Sequence, residues 1–319
     1  MENKRILIIG GTGALGKTLI KLYQDTNQIK VLSRDEHKQV NLVHSDWVNK
    51  ENVSFMIGDV KDKNCIINAI EDHKPDIVIN AAALKHVPVC EINPFESVNV
   101  NIIGHQNLLE AVRRSNHRIE TLIYISSDKA CKPVNIYGMC KAISERLYIE
   151  FAKKQTNVKV CLVRYGNVLE STGSVIPYFK QLLREGCTEL PITDARMTRF
   201  LLTLESAAKL IEWAYYSPIS HGKIVVPKLQ SFKIVDIARA LIAEYSPDSD
   251  VELKVVGIRK GEKLHEEMVS SEEWMRTEEH ENYLITDEML TDESVSYNSC
   301  DCVMPGEDVY DFLKASGVL

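Results

Sequence analysis

Short apolar runs alternate with amphipathic segments along the first half of the chain. The runs at 5–9, 29–32, 53–57, 76–80, 121–125 and 158–163 are rich in Ile, Val and Leu and are bounded by polar or glycine residues. That is the pattern of parallel strands buried on both faces. Helical segments lie between them, for example at 17–23 and from Tyr137 onward. Strand and helix in alternation imply right-handed βαβ units. After residue 163 the pattern loosens. A helix begins near Pro177, the stretch 189–200 has neither period and reads as a binding segment, an amphipathic helix follows at 204–216, and a seventh strand at 223–227. The expected fold class is α/β, a Rossmann-type doubly wound parallel sheet with a smaller C-terminal substrate-binding domain. The sheet domain should take 1–168 plus about 204–235, and the smaller domain 169–203 plus about 236–319.

Composition narrows the function. The 319 residues are 45% hydrophobic and 26% charged, so a folded globular chain is expected rather than a disordered one. A net charge of −7 without a basic cluster argues against a nucleic-acid partner. No apolar run is long enough to span a membrane and the charged start leads straight into a strand, so neither anchor nor signal peptide is expected, and the cytoplasm is the expected location. The eight cysteines lack paired Cys-x-x-Cys spacing, which favours reduced thiols over metal ligands, and no metal is expected. Cys131 and Cys140 have no histidine neighbour to make a thiolate nucleophile.

The turn after the first strand, Gly10-Gly-Thr-Gly-Ala-Leu-Gly16, opens a helix. Gly10 permits the tight turn, Gly13 lets backbone approach a pyrophosphate, and Gly16 allows close helix packing, with Thr12, Ala14 and Leu15 completing the loop. The second strand ends in Ser33 followed by Arg34, where NAD-dependent proteins place a carboxylate. Arg34, with Lys38 a turn on, can neutralise a 2′-phosphate, so NADP is expected over NAD despite Asp35 and Glu36 nearby. Asp59 and Val60 leave the third strand where adenine would lie. The small residues Ala81, Ala82 and Ala83 leave the fourth, and Asn99 is a polar residue in an apolar repeat, either at the cofactor or an ordinary buried amide.

The fifth strand runs into Ser126-Ser127-Asp128-Lys129, at the sheet edge where ligands bind in such folds. Tyr137 and Lys141 follow four apart, on one helix face. A phenol is a base at neutral pH only beside positive charge, which Lys141 and an oxidised nicotinamide would supply. Asp128 and Lys129 add an acid and an amine, provided the loop bends between them, because adjacent residues in extended chain face opposite ways. Arg199 and Arg259 suit a diphosphate, since a guanidinium grips phosphate oxygens as a fork.

Gly-Gly-Thr-Gly-Ala-Leu-Gly, Asn-Ala-Ala-Ala-Leu-Lys-His-Val-Pro, Ser-Asp-Lys-Ala, Asn-Ile-Tyr-Gly-x-x-Lys, Arg-Tyr-Gly-Asn-Val, Pro-Ile-Thr-Asp-x-Arg-Met-Thr-Arg-Phe and Gly-Ile-Arg-x-Gly-Glu-Lys-Leu-His-Glu span nearly the whole chain. Together they resemble the inverting UDP-N-acetylglucosamine 4,6-dehydratases, extended short-chain dehydrogenase/reductases that also epimerise C5. Glucose 4,6-dehydratases carry Asp-Glu where this chain has Asp128-Lys129, and 4-epimerases lack the acid–base pair. The sequence departs from the common pattern at Gly138-Met139-Cys140 and in its tail. The resemblance implies a homo-oligomer that acts on a UDP-sugar. Its cofactor would also touch Ser126, Tyr137, Lys141, Tyr165, Gly166 and Asn167. Its substrate would meet Lys85, Ser127, Asn167, Ser174, Val175, Pro191, Thr193, Met197, Arg199, Arg259 and Glu262. In the implied reaction Tyr137 serves C4 oxidation, while Lys129, neutral in a desolvated cationic neighbourhood, takes the C5 proton and a protonated Asp128 expels the C6 hydroxyl. A C5-retaining dehydratase, a 4-epimerase using only Tyr137 and Lys141, and an NADP-binding regulator are the alternatives. The regulator should have lost Tyr-x-x-x-Lys, which this chain keeps.

Overall fold

A computed structural model describes residues 1–171 and 173–319. The apolar runs form strands β1 (Arg5–Ile9), β2 (Gln28–Ser33), β3 (Val53–Ile57), β4 (Ile77–Asn80), β5 (Thr121–Ile125) and β6 (Lys159–Val163). With the strand Ile224–Val226 they make seven parallel strands in the order β3-β2-β1-β4-β5-β6 and then Ile224–Val226. Order reverses between β1 and β4. The crevice outside the carboxyl ends there is where an open α/β sheet receives a ligand.

Helices α1 (Ala14–Tyr23), α2 (Glu36–Val43), α3 (Lys63–His73), α4 (Val87–Ile92), α5 (Pro94–Val98), α6 (Gly104–Arg114) and α7 (Ile136–Lys154) connect the strands. Two apolar cores result, one on each face of the sheet. One holds Leu7, Val78, Leu108, Leu122 and Tyr148; the other holds Ile6, Leu19, Ile79, Ile123 and Ile211. Strands that bury side chains on both faces must be apolar at every position, which is why the runs do not alternate.

A third core joins Leu169, Phe179, Leu190, Met197, Phe232, Leu241 and Leu313. Its members come from 169–201, from 232–241 and from the C-terminal end of the chain, so Phe232 and Ile234, expected in the sheet domain, pack in this core instead. Residues 277–285 depart from the expected division too. Thr277–Glu279 and Tyr283–Ile285 extend the large sheet as antiparallel edge strands beyond Ile224–Val226. The segment 189–200 also departs from expectation, for it contains strands Glu189–Ile192 and Thr198–Leu202. Their partners, Glu252–Val255 and Ser231–Lys233, lie tens of residues away and supply the order that the local pattern lacks.

Candidate active site

The glycine loop ends at Gly13, which caps α1 without any side-chain hydrogen bond. The N–H groups of the first turn therefore face the crevice unblocked, with the helix dipole behind them. Gly10 has φ +80°, and a Cβ there would stand 2.7 Å from the Ala82 nitrogen, so β1 and β4 can approach only through glycine. This cradle fits a dinucleotide pyrophosphate. At the ribose end the Ser33 hydroxyl accepts from Gln39. Lys38 is held at 3.0 Å by Asp35, whose carboxylate also caps α2. Arg34 is exposed and has no ion-pair partner among the described residues. Asp59 accepts from the Lys61 backbone, and Val60 is buried beside it.

Asn99 is exposed. The buried amide is Asn101, whose Oδ1 accepts from Leu84 N–H and whose Nδ2 donates to the Leu84 carbonyl, fixing the chain beyond Ala81–Ala83. Residues Asn99–Ile103 form a π-turn in which Gly104 N–H bonds Asn99. Of the two expectations for Asn99, at the cofactor or an ordinary buried amide, its exposure removes the second.

Beyond β5 the chain bends as expected. Asp128–Ala130 is a 3₁₀ turn capped by Ser127, whose hydroxyl accepts from Lys129 N–H and donates to Asp128 Oδ1 at 2.8 Å. The bend brings Lys129 Nζ to 3.1 Å from Asp128 Oδ1. Lys129 also donates to Asn167 Oδ1 at 3.0 Å and lies 3.6 Å from Glu266 Oε1. Asp128 is fully buried, and its Oδ2 has no hydrogen-bond partner among the described residues. The lysine's neighbourhood is thus anionic, not cationic. Although burial opposes it, Asp128 and Glu266 together hold the Lys129 ammonium well above the ordinary lysine range, so the free protein carries it charged.

Tyr137 and Lys141 share the inner face of α7, which Asn135 caps by accepting from Gly138 N–H. Lys141 Nζ donates to the Ile125 carbonyl at 2.7 Å and lies 6.0 Å from the centre of the Tyr137 ring. Burial lowers Lys141 to about 7. Burial raises Tyr137 to about 12, with Lys129 and the Ser127 hydroxyl pulling the other way. Gly138 allows α7 to sit this close, since a Cβ there would overlap the Lys129 carbonyl oxygen.

Ser126 is buried, and its hydroxyl donates to Glu145 at 2.6 Å. Arg164, at the end of β6, grips Glu145 and Glu273 with paired bonds of 2.6–2.9 Å. Tyr165 is buried and its carbonyl accepts from Asp128 N–H, and a Cβ on Gly166 would stand 2.6 Å from Phe200.

Arg199 is buried, and its guanidinium donates to the carbonyls of Thr198, Lys263 and Leu264, with Glu266 at 3.9 Å. The expected open fork for a diphosphate is therefore mostly committed to backbone. Arg259 is exposed, with Glu262 at 4.0 Å. Lys85 is exposed, Thr193 and Pro191 are half-buried, and Met197 is buried. Ser174 precedes the helix Val175–Arg184 without capping it, and its buried Oγ has no hydrogen-bond partner among the described residues. Glu266, Asn101 and Glu145 are the residues that sequence reasoning missed. Glu266 stood inside the quoted Gly-Glu-Lys-Leu-His-Glu motif without a role.

Residues 6–288 match the family described as "Polysaccharide biosynthesis protein". The chain belongs to that family. Members similar to it include the UDP-N-acetylglucosamine 4,6-dehydratase (inverting) of Campylobacter jejuni, 44% identical over 289 residues, which cover 88% of this chain and 82% of the relative. The resemblance read from the motifs is thereby met. A UDP-glucose 4-epimerase of Rickettsia bellii is 38% identical over 292 residues, again 88% and 82% of the two chains. Among solved structures, Pen from Bacillus thuringiensis superposes with a TM-score of 0.89 at 29% identity, covering 100% of this chain and 99% of its own. The dTDP-glucose 4,6-dehydratase DesIV of Streptomyces venezuelae, solved with NAD, shares the fold at a TM-score of 0.68 and 19% identity, over 82% and 86% of the chains. The fold is the Rossmann-type α/β sheet expected of the family. No described helix is long and apolar enough to cross a membrane.

Proposed function

We propose that this family member is an NADP-dependent hydro-lyase that converts UDP-N-acetylglucosamine to UDP-2-acetamido-2,6-dideoxy-L-arabino-hexos-4-ulose, inverting C5, for a surface-glycan 6-deoxy amino sugar. The observation that carries this reading is the direct contact of Asp128 and Lys129 beside Tyr137, an acid–base pair that a 4-epimerase would leave idle. The C. jejuni relative supports it. NADP, held by the Gly10–Gly16 loop, Arg34 and the Ala81–Ala83 backbone, would supply reversible hydride transfer, from C4 and later to C6.

The side chains divide the proton work. Tyr137 takes the C4 hydroxyl proton, and its phenolate is stabilised by the Lys129 ammonium and the Ser127 hydroxyl, joined by Lys141 when that amine is protonated. The C4 ketone acidifies the C5 hydrogen. Lys129 passes its proton 3.1 Å to Asp128, giving an amine and a carboxylic acid without changing the pair's total charge. The amine then removes the C5 proton while Asp128 protonates the departing C6 hydroxyl as water, which restores the resting ammonium and carboxylate. Reprotonation at C5 from the opposite ring face gives the L-sugar.

Proton NMR of the product formed from UDP-N-acetylglucosamine in D₂O tests this. One solvent deuterium at C5 of an L-configured 4-keto-6-deoxy product is expected. Hydrogen unexchanged at C5, or only the D-product at early times, points to the retaining class. A 4-epimer without loss of water points to the epimerase reading that the R. bellii relative favours.

A further inference from the structure

The acid–base pair has a third member in the C-terminal part of the chain. Glu266 is 3% exposed, and its Oε1 lies 3.6 Å from Lys129 Nζ. Its Oε2 is buried without a hydrogen-bond partner among the described residues. The groups that face it are Lys129 and, through it, Asp128 from the turn after β5, Arg199 at 3.9 Å from the strand Thr198–Leu202, and Lys263 at 3.9 Å from its own segment. His265 turns away to Thr198. The backbone holds the carboxylate in place: Glu266 N–H donates to Ser299 Oγ at 2.8 Å, and Ser299 N–H to the Glu266 carbonyl at 2.8 Å. A buried carboxylate fixed by backbone pairing and aimed at a catalytic ammonium is a costly arrangement unless its charge is used.

We propose that Glu266 is a positioning residue for the acid–base pair: its carboxylate seats the Lys129 ammonium against Asp128 and, by its charge, sets the lower edge of the pH range in which elimination runs. The inference rests on the dehydratase reading. A carboxylate beside the Asp128–Lys129 pair makes a second proton easier to add, and a pair carrying two protons has no base. Glu266 thus acts on elimination through Lys129.

The test is Glu266→Gln in the full chain with NADP and UDP-N-acetylglucosamine. Glutamine keeps an oxygen for Lys129 and removes the charge. The acidic limb of the pH profile for kcat should move down by about one to two pH units, the size of a single close charge on a neighbouring group. Elimination should slow by on the order of tenfold or more, with KM little changed, so that transient NADPH absorbance outlasts that of the wild type. Glu266→Asp, which retains the charge, should return the limb most of the way. An unmoved limb with oxidation and elimination falling in proportion would reduce Glu266 to a structural residue. Should Glu266→Gln not fold, Lys263→Met removes the cation near Oε2 and must raise the acidic limb; a limb that stays put overturns the proposal. A wild type that makes no 6-deoxy product fails the dehydratase reading itself, a different result from an unmoved limb in a working dehydratase.

Discussion

Replacing Glu273 with glutamine should destabilise the protein at neutral pH by an amount that shrinks in acid. Glu273 Oε1 and Oε2 each accept from Arg164 at 2.8 Å, and Oε2 also accepts from Ser270 N–H in a capping box. Against the cost of burial, Arg164 and these hydrogen bonds hold the carboxyl at about 2, below the ordinary 4.5. A depressed carboxylate contributes stability that is complete above its unfolded value and disappears as pH falls towards the folded one. The difference corresponds to about 3 kcal/mol at pH 7, and linkage leaves about 2 kcal/mol at pH 3.5. Removing one partner of a buried ion pair costs a similar amount, roughly 3–5 kcal/mol, because the other charge is stranded. For a chain of this length about 3 kcal/mol lowers Tm by about 5 °C if it unfolds as one unit. Urea melts of wild type and Glu273→Gln at pH 7, 4.5 and 3.5 provide the measurement. A gap that stays constant across that series would show that the Arg164 pairing does not hold the carboxyl down, and the argument would be wrong.

Tyr137→Phe should abolish NADPH formation and every later step, whereas Lys129→Ala should still give a slow NADPH transient without elimination, followed by stopped-flow absorbance; equal and complete loss in both would make Lys129 a binding residue. Nucleotide extracted from the purified protein should be NADP(H), and Arg34→Ala should weaken NADP binding on the order of tenfold with little effect on NAD, by titration calorimetry, the loss of one charge-assisted phosphate contact. Gly138→Ala should lower elimination on the order of a hundredfold, because its Cβ displaces the Lys129 carbonyl and misplaces the amine; an unchanged rate in a folded variant would mean that α7 can retreat freely.

The sheet was legible because strands buried on both faces leave uninterrupted apolar runs, and the glycine loop because only glycine admits the Gly10 conformation and its contact with Ala82. Tyr137 and Lys141 were legible because helical spacing fixes which residues share a face. Such signals are local. The strands Glu189–Ile192 and Thr198–Leu202 were not, since their order comes from partners far along the chain. Nor was Asn101, whose role comes from pairing with the Leu84 backbone earlier in the chain. The charge of Lys129 shows the limit most clearly. Its position beside Asp128 follows from the sequence and a bend, but part of the charge that holds its proton comes from Glu266, 137 residues later, brought to 3.6 Å only by packing of the C-terminal segment. A residue's type and local spacing set what it can do; which form it takes depends on distant charges, because electrostatic energy follows distance in space and not separation along the chain.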